Sequence, residues 1–79
     1  MDIATHLWEI LGEDSKENGK VVGVFLAIFD RLPPKMRLVV DFKVQGLSNK
    51  LIAKQLGINE VTVRIHLRRA KKRILTALE

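Results

Sequence analysis

The chain lacks the features that commonly stabilise small folds or direct proteins to membranes. None of its 79 residues is cysteine, which excludes disulfides and thiolate zinc ligands. Its two histidines, His6 and His66, are far apart in sequence and offer no pair at metal-ligand spacing. The N-terminus has no basic start followed by a long apolar stretch, and the longest apolar run, Val21–Phe29, is about half of a membrane span. We therefore expect a cytoplasmic domain with no metal and no membrane segment.

Signatures of catalysis are equally scarce. Gly19 and Gly23 are isolated and do not form a glycine-rich phosphate loop after a strand. No serine or threonine has both a base and an orienting carboxylate near it in sequence. We expect neither enzymatic activity nor a cofactor.

The composition is that of one small globular domain with an uneven charge. Hydrophobic residues make up 47% of the chain and charged residues 29%, and the net charge is +5. Residues 1–32 carry three Lys/Arg and six Asp/Glu, whereas residues 33–79 carry eleven Lys/Arg and three Asp/Glu. The basic second part predicts an anionic partner for that part of the domain.

Hydrophobic spacing and turn residues predict a small all-α domain of four to five helices. The predicted helices span Asp2–Leu11, Val21–Leu32, Pro34 to about Gln45, Asn49–Leu56 and residues 59–78. Residues 13–20 are polar and are predicted to form a loop. Pro33 and Pro34 end the second helix and begin the third.

The last two predicted helices form a helix-turn-helix. Ser48 and Asn59 are suited to be N-caps, and Gly57 supplies the left-handed residue of the turn between the helices. Ile58 is placed to fill the space between them. Two short helices joined by a turn of about four residues with a glycine define this motif.

The final helix has two chemically different faces when residues are spaced about 100° apart. The predicted buried stripe is Val63, Leu67, Ala70 and Ile74, with Ala77 and Leu78 at its edges. The predicted outward face is Val61, Ile65, Arg68, Arg69 and Lys72, with Arg64 and Lys71 to one side.

Val61 and Ile65 favour DNA contact over a simple solvated face. Contact with solvent alone does not explain why two exposed β-branched aliphatic side chains lie beside arginines. In a DNA major groove, thymine methyl groups make apolar contacts and arginine bonds guanine O6 and N7. The first turns of such a helix contact bases, and later cations reach phosphates.

The sequence also resembles two known families. Residues 46–74, GLSNKLIAKQLGINEVTVRIHLRRAKKRI, look like the helix-turn-helix of the LuxR/NarL regulators and are similar to region 4 of bacterial sigma factors. RLPPKMRLVV, residues 31–40, matches the helix that leads into the motif in both families. The resemblance implies a compact helical fold with the recognition helix in the major groove.

The two faces of the final helix and the family resemblance together predict which residues contact DNA. The resemblance implies backbone contacts for Asn49 and Lys50 and places Thr62 and Arg64 on the DNA-facing helix. Base contacts are predicted for Val61, Arg64, Ile65 and Arg68. Phosphate contacts are predicted for Ser48, Asn49, Lys50, Thr62, Arg69, Lys71 and Lys72.

Residues 1–32 are predicted to pack on the motif as part of one compact unit, with residues 33–79 as the DNA-binding part. Trp8 and the run Val21–Phe29 suit a core, but a domain this small has difficulty burying the whole run. We therefore expect the N-terminal helices to supply a dimer or partner contact.

Three functional interpretations remain open from the sequence. The preferred one is a bacterial transcription regulator that binds specific double-stranded DNA, as a homodimer if the site is two-fold symmetric. The first alternative is a sigma region 4-like module that contacts promoter DNA and RNA polymerase. The second is a protein-interaction adaptor that kept the fold and lost DNA binding.

Overall fold

The computed structural model describes residues 21–78, and within this range the chain is all-α, as predicted. Its four helices are α1, Val21–Phe29; α2, Pro34–Val44; α3, Asn49–Leu56; and α4, Glu60–Leu78. The predicted helix over Asp2–Leu11 and the predicted loop over 13–20 lie outside the described residues. No helix in the described range is long and apolar enough to cross a bilayer.

Helix α1 ends three residues earlier than its apolar pattern predicts. The prediction carried it to Leu32, but the helix ends at Phe29. The next residues form tight turns in which the Arg31 N–H donates to the Ile28 carbonyl at 2.9 Å and the Leu32 N–H donates to the Phe29 carbonyl at 3.2 Å. Because Pro33 disfavours helical geometry at the residue before it, Leu32 cannot extend α1. Its side chain is nevertheless buried.

Helix α2 begins at Pro34 and is closed by Gly46, as the sequence predicts. Pro34 occupies its first turn, where a missing N–H leaves no intrahelical bond unmade. At the other end Gly46 adopts φ 95°, a left-handed conformation that favours glycine. The Leu47 N–H then donates to the Phe42 carbonyl at 3.2 Å, and the Gly46 N–H donates to the Lys43 carbonyl at 2.9 Å. This pair of bonds is a Schellman motif, which turns the chain toward α3.

Two adjoining clusters of apolar side chains form the core. The first joins α1, α2 and α4 and contains Phe25, Leu32, Met36, Val40, Val44, Ala70 and Ile74. The second joins α2, α3 and α4 and contains Val39, Ile52, Ala53 and Val63. Leu67 packs against both clusters, so α4 connects them. Helix α1 therefore packs on the same helix that the helix-turn-helix uses.

Candidate nucleic-acid interface

The turn between α3 and α4 has the caps that its sequence predicts. The Ser48 Oγ accepts a hydrogen bond from the Leu51 N–H at 3.2 Å, and the Asn59 Oδ1 accepts one from the Val61 N–H at 2.8 Å. Gly57 ends α3 in the left-handed conformation, with φ 66° and ψ 35°. The Ile58 side chain packs on the second core cluster. These caps and contacts fix the position of α4 relative to α3, which is the basis of a helix-turn-helix.

The inward face of α4 is the one that its periodicity predicts. Val63, Ala70 and Ile74 are fully buried, and Leu67 is partly buried between the two core clusters. Ala77, predicted at the edge of this stripe, is exposed because the core clusters end at Ile74 and Leu75. The central part of α4 is therefore held by one continuous apolar stripe.

The outward face of α4 leaves two aliphatic side chains in solvent. Val61 is 51% exposed and Ile65 is 37% exposed, although a small domain gains by burying such residues. The cations of this helix are also exposed: Arg64, Arg68, Arg69 and Lys72 around the aliphatic side chains, and Arg73 further round the helix. Lys71 is half-buried at the flank of the helix. Aliphatic and cationic groups thus share one open surface.

The remaining predicted site residues lie at the start of α3 and in the first turn of α4. Ser48 and Lys50 are exposed, whereas Asn49 and Thr62 are half-buried. The Asn49 Oδ1 is buried without a hydrogen-bond partner, and the amide N–H groups are the part of that side chain that can donate to a phosphate. The contacts of all these residues with DNA stay predictions.

The described part of the chain is strongly basic, and its charge is concentrated on α4. Residues 21–78 contain twelve Lys/Arg against three acidic residues, namely Asp30, Asp41 and Glu60. Six of the cations lie on α4, where Glu60 in the first turn is the only acidic side chain. An acidic residue in that turn suits the positive end of the helix dipole. The exposed face of α4 therefore presents positive charge to its surroundings.

Sequence reasoning missed two exposed residues of this region, and the signals for both were present. Arg73 ends the run RRAKKR and is exposed, but it falls outside the outward face of the helical wheel. Leu51 is 48% exposed on α3, next to the predicted phosphate contacts Asn49 and Lys50.

His66 is the histidine of α4. The side chain is half-buried, and its Nδ1 atom is buried without a hydrogen-bond partner. No group of three potential metal-ligating side chains occurs in the part of the chain that the structure describes. The arrangement suits a packing role for this histidine.

Comparison with known families agrees with this geometry. Residues 23–74 match the family model of sigma-70, region 4. The chain belongs to this family. The match begins in α1 and ends in α4, so it includes both core clusters as well as the helix-turn-helix.

Two curated response regulators share part of this region 4 sequence. The nitrate/nitrite response regulator protein NarL of Escherichia coli strain K12 is 38% identical over 45 residues, 57% of this chain and 21% of NarL. The response regulator protein TmoT of Ectopseudomonas mendocina is 34% identical over 56 residues, 71% of this chain and 26% of TmoT. The chain thus spans about a quarter or less of these relatives. No solved structure matches significantly.

Family and geometry together define the general role. A region 4 domain that presents a basic helix from a helix-turn-helix is a DNA-binding module of transcription regulation. Both resemblances seen in the sequence, to LuxR/NarL regulators and to sigma region 4, are confirmed.

Proposed function

We propose that this region 4 domain binds specific duplex sequences by inserting α4 into the major groove. The observation that carries the proposal is the exposure of Val61 and Ile65 among cations, on a helix whose opposite face holds the fully buried Val63, Ala70 and Ile74. The major groove admits an α-helix and presents both hydrogen-bonding groups and thymine methyl groups. A surface of mixed aliphatic and cationic side chains matches that chemistry.

The base-contacting residues form two parallel rows along α4. Val61 and Ile65 are four residues apart and form an aliphatic row, and Arg64 and Arg68 form a cationic row with the same spacing. Four residues advance a helix by about 6 Å. Two base-pair steps of one strand advance about 7 Å, so each row spans about three successive base pairs. We expect thymine methyl groups along one row and guanine edges along the other.

Phosphate contacts come from both ends of the motif. Ser48, Asn49 and Lys50 stand at the N-terminus of α3, where the helix dipole favours an anion. On α4 the corresponding residues are Thr62, Arg69, Lys71 and Lys72. If these groups neutralise about five phosphates, the logarithm of the affinity falls against the logarithm of the salt concentration with a slope of about −4 to −5.

Selection of bound duplexes from a random pool tests the proposal. The expected result is an enriched motif, with Arg68→Ala weakening binding to it by about 1–3 kcal/mol and relaxing the preference at one position. Arg31→Ala is the matched control, because Arg31 is exposed and lies outside the helix-turn-helix. Equal losses of DNA affinity for the two variants would contradict base recognition by α4. No retention on heparin together with no enriched motif would favour a protein-interaction adaptor.

A second candidate role is a contact with RNA polymerase alongside DNA binding. Two exposed leucines favour it, since Leu26 on α1 is 56% exposed and Leu38 on α2 is 44% exposed, and neither lies on α4. Apolar side chains open to solvent away from the DNA-binding face leave room for a protein partner. Pull-down with core polymerase tests this role, and Leu26→Ser with Leu38→Ser should abolish the contact while DNA binding persists. A symmetric motif with half-sites about 10 base pairs apart, together with a dimer in sedimentation, would instead indicate a homodimer.

A further inference from the structure

A groove outside the predicted base-contacting surface combines an apolar lining with cations. It lies between the start of α2 and the last turns of α4 and has a volume of about 600 Å³. Three apolar and three cationic side chains line it: Pro33, Met36, Ala77, Arg69, Lys72 and Arg73. Neither Leu26 nor Leu38 belongs to the lining. The groove is therefore separate from the leucines that are candidates for contact with RNA polymerase.

One side of α4 forms a wall of this groove. Five lining residues follow the spacing i, i+3, i+4, i+7 and i+8 on that helix: Arg69, Lys72, Arg73, Thr76 and Ala77. Such spacing places them on one helical face, and all five are exposed. Eight residues of helix extend about 12 Å, which is the length of about two turns of a second helix. The groove is thus elongated and open along α4.

The base of the groove is apolar and adaptable. Met36 is only 4% exposed and belongs to the first core cluster, whereas Pro33 and Ala77 beside it are exposed. A methionine side chain is unbranched and flexible, so it adjusts to the shape of what packs on it. The stems of the neighbouring arginines and lysine add methylene surface beneath their charged ends. Apolar side chains of a ligand can therefore pack here.

The cations of the groove have no acidic counterpart in the range 21–78. The three acidic residues of that range all lie outside the lining: Asp30, Asp41 and Glu60. Arg69, Lys72 and Arg73 lie within little more than one turn of α4, so positive potential accumulates there. DNA phosphates would match this charge but leave the apolar base uncovered. A protein segment with both carboxylates and apolar side chains matches charge and base together.

We propose that this groove binds an acidic amphipathic helix of a partner protein. The apolar side chains of that helix pack on Pro33, Met36 and Ala77, and its carboxylates pair with the cations along α4. A helix with apolar residues at i, i+3 or i+4, and i+7 carries such a stripe between acidic flanks. Two turns of it fill the length of the wall.

Docking has a consequence for DNA binding that rests on the proposed function. Arg69 and Lys72 line the groove and also belong to the proposed phosphate contacts. An acidic helix held against them competes with the duplex for the same charges. The partner therefore lowers the affinity for DNA, and DNA lowers the affinity for the partner by the same factor. Arg73 lines the groove but is not among the proposed DNA contacts, so it can be changed to test docking separately.

Titration of the full chain with a synthetic peptide, without DNA, tests the docking. The probe is a helical peptide of about 15 residues with leucines along one side and glutamates on the flanks. The expected result is a saturable shift of the Met36 methyl signal and of the Thr76 and Ala77 amide signals, with no shift at Gln55 on α3. Matched peptides with lysine for each glutamate, or serine for each leucine, should bind at least about tenfold more weakly.

A charge reversal at the groove tests the same contact from the side of the domain. Arg73→Glu should weaken binding of the acidic peptide about tenfold and strengthen binding of the lysine peptide. Lys54→Glu is the matched control, because it reverses an exposed charge on α3 outside the groove. It should change the affinity for the peptide by less than about twofold.

Three results would overturn the proposal. One is the absence of saturable binding at about 1 mM peptide. Another is equal weakening by Arg73→Glu and Lys54→Glu, which would indicate general attraction to a basic domain. The third is a loss of duplex affinity for Arg73→Glu with unchanged peptide binding, which would assign the groove to DNA. The peptide titrations do not depend on whether α4 binds DNA, so an intact peptide contact without an enriched DNA motif would refute the proposed function alone.

Discussion

Two isoleucines on α4 give a direct test of its two faces. Ile74 is fully buried in the first core cluster, whereas Ile65, nine residues earlier, is 37% exposed. Ile74→Ala removes three carbon atoms from the core, which costs about 2.4 kcal/mol at about 0.8 kcal/mol for each buried carbon. The cavity left behind raises the expected loss to about 3–4 kcal/mol, within the range measured for such substitutions. A loss of this size is comparable to the whole stability of a domain this small.

Ile65→Ala makes the same chemical change on the solvent side of the same helix. We expect the free energy of unfolding to fall by only about 1 kcal/mol, because Ile65 is 37% exposed and the higher helix propensity of alanine offsets part of the burial that is lost. The stability of both variants is measured by thermal and urea unfolding, followed by circular dichroism. The Ile74 variant should melt roughly 12–32 °C lower than the parent chain. Equal losses of stability for the two variants would refute the assignment of the faces.

Further substitutions test the turn, the cap and the electrostatics. Gly57→Ala should destabilise the domain by about 1–2 kcal/mol, because a side chain strains the left-handed backbone at φ 66°. No atom lies within 4 Å of an added Cβ, so no steric clash adds to this cost. Gly23→Ala, in helical α1 and equally free of clashes, should stabilise it by about 0.5–1 kcal/mol in the same unfolding assay. Ser48→Ala should cost about 1 kcal/mol through loss of the α3 cap, and no loss would contradict the capping bond. Lys72→Ala should reduce the salt-dependence slope of DNA binding by about one, measured by fluorescence anisotropy, whereas Lys54→Ala should leave it unchanged.

Local sequence signals were sufficient to predict the helix-turn-helix. Ser48, Gly57 and Asn59 act within four residues of their own positions, so their roles follow from residue type alone. The buried and exposed sides of α4 follow from helical periodicity, because Val63 and Ile65 differ by two residues and thus point to different sides. The family relationship was recognisable for the same reason, since its motif lies in this segment.

Features that depend on packing between distant elements could not be predicted. Leu32 lies beyond the end of α1 at Phe29, because it precedes a proline, and yet its side chain packs in the core against residues of α2 and α4. A surface groove between the start of α2 and the last turns of α4 is lined by Pro33 and Arg73, which are forty residues apart and lie close together because α2 packs on α4. No local sequence pattern predicts that contact.

The most direct test of the account follows isoleucine methyl groups by nuclear magnetic resonance while duplex DNA is added. Ile65, on the open face of α4, should show the largest change and a contact with a thymine methyl group. Ile74 and Ile52, both fully buried, should hardly change. The account would be contradicted if Ile65 stayed unchanged at saturation while Ile28 of α1 shifted, because DNA would then bind to a different face of the domain.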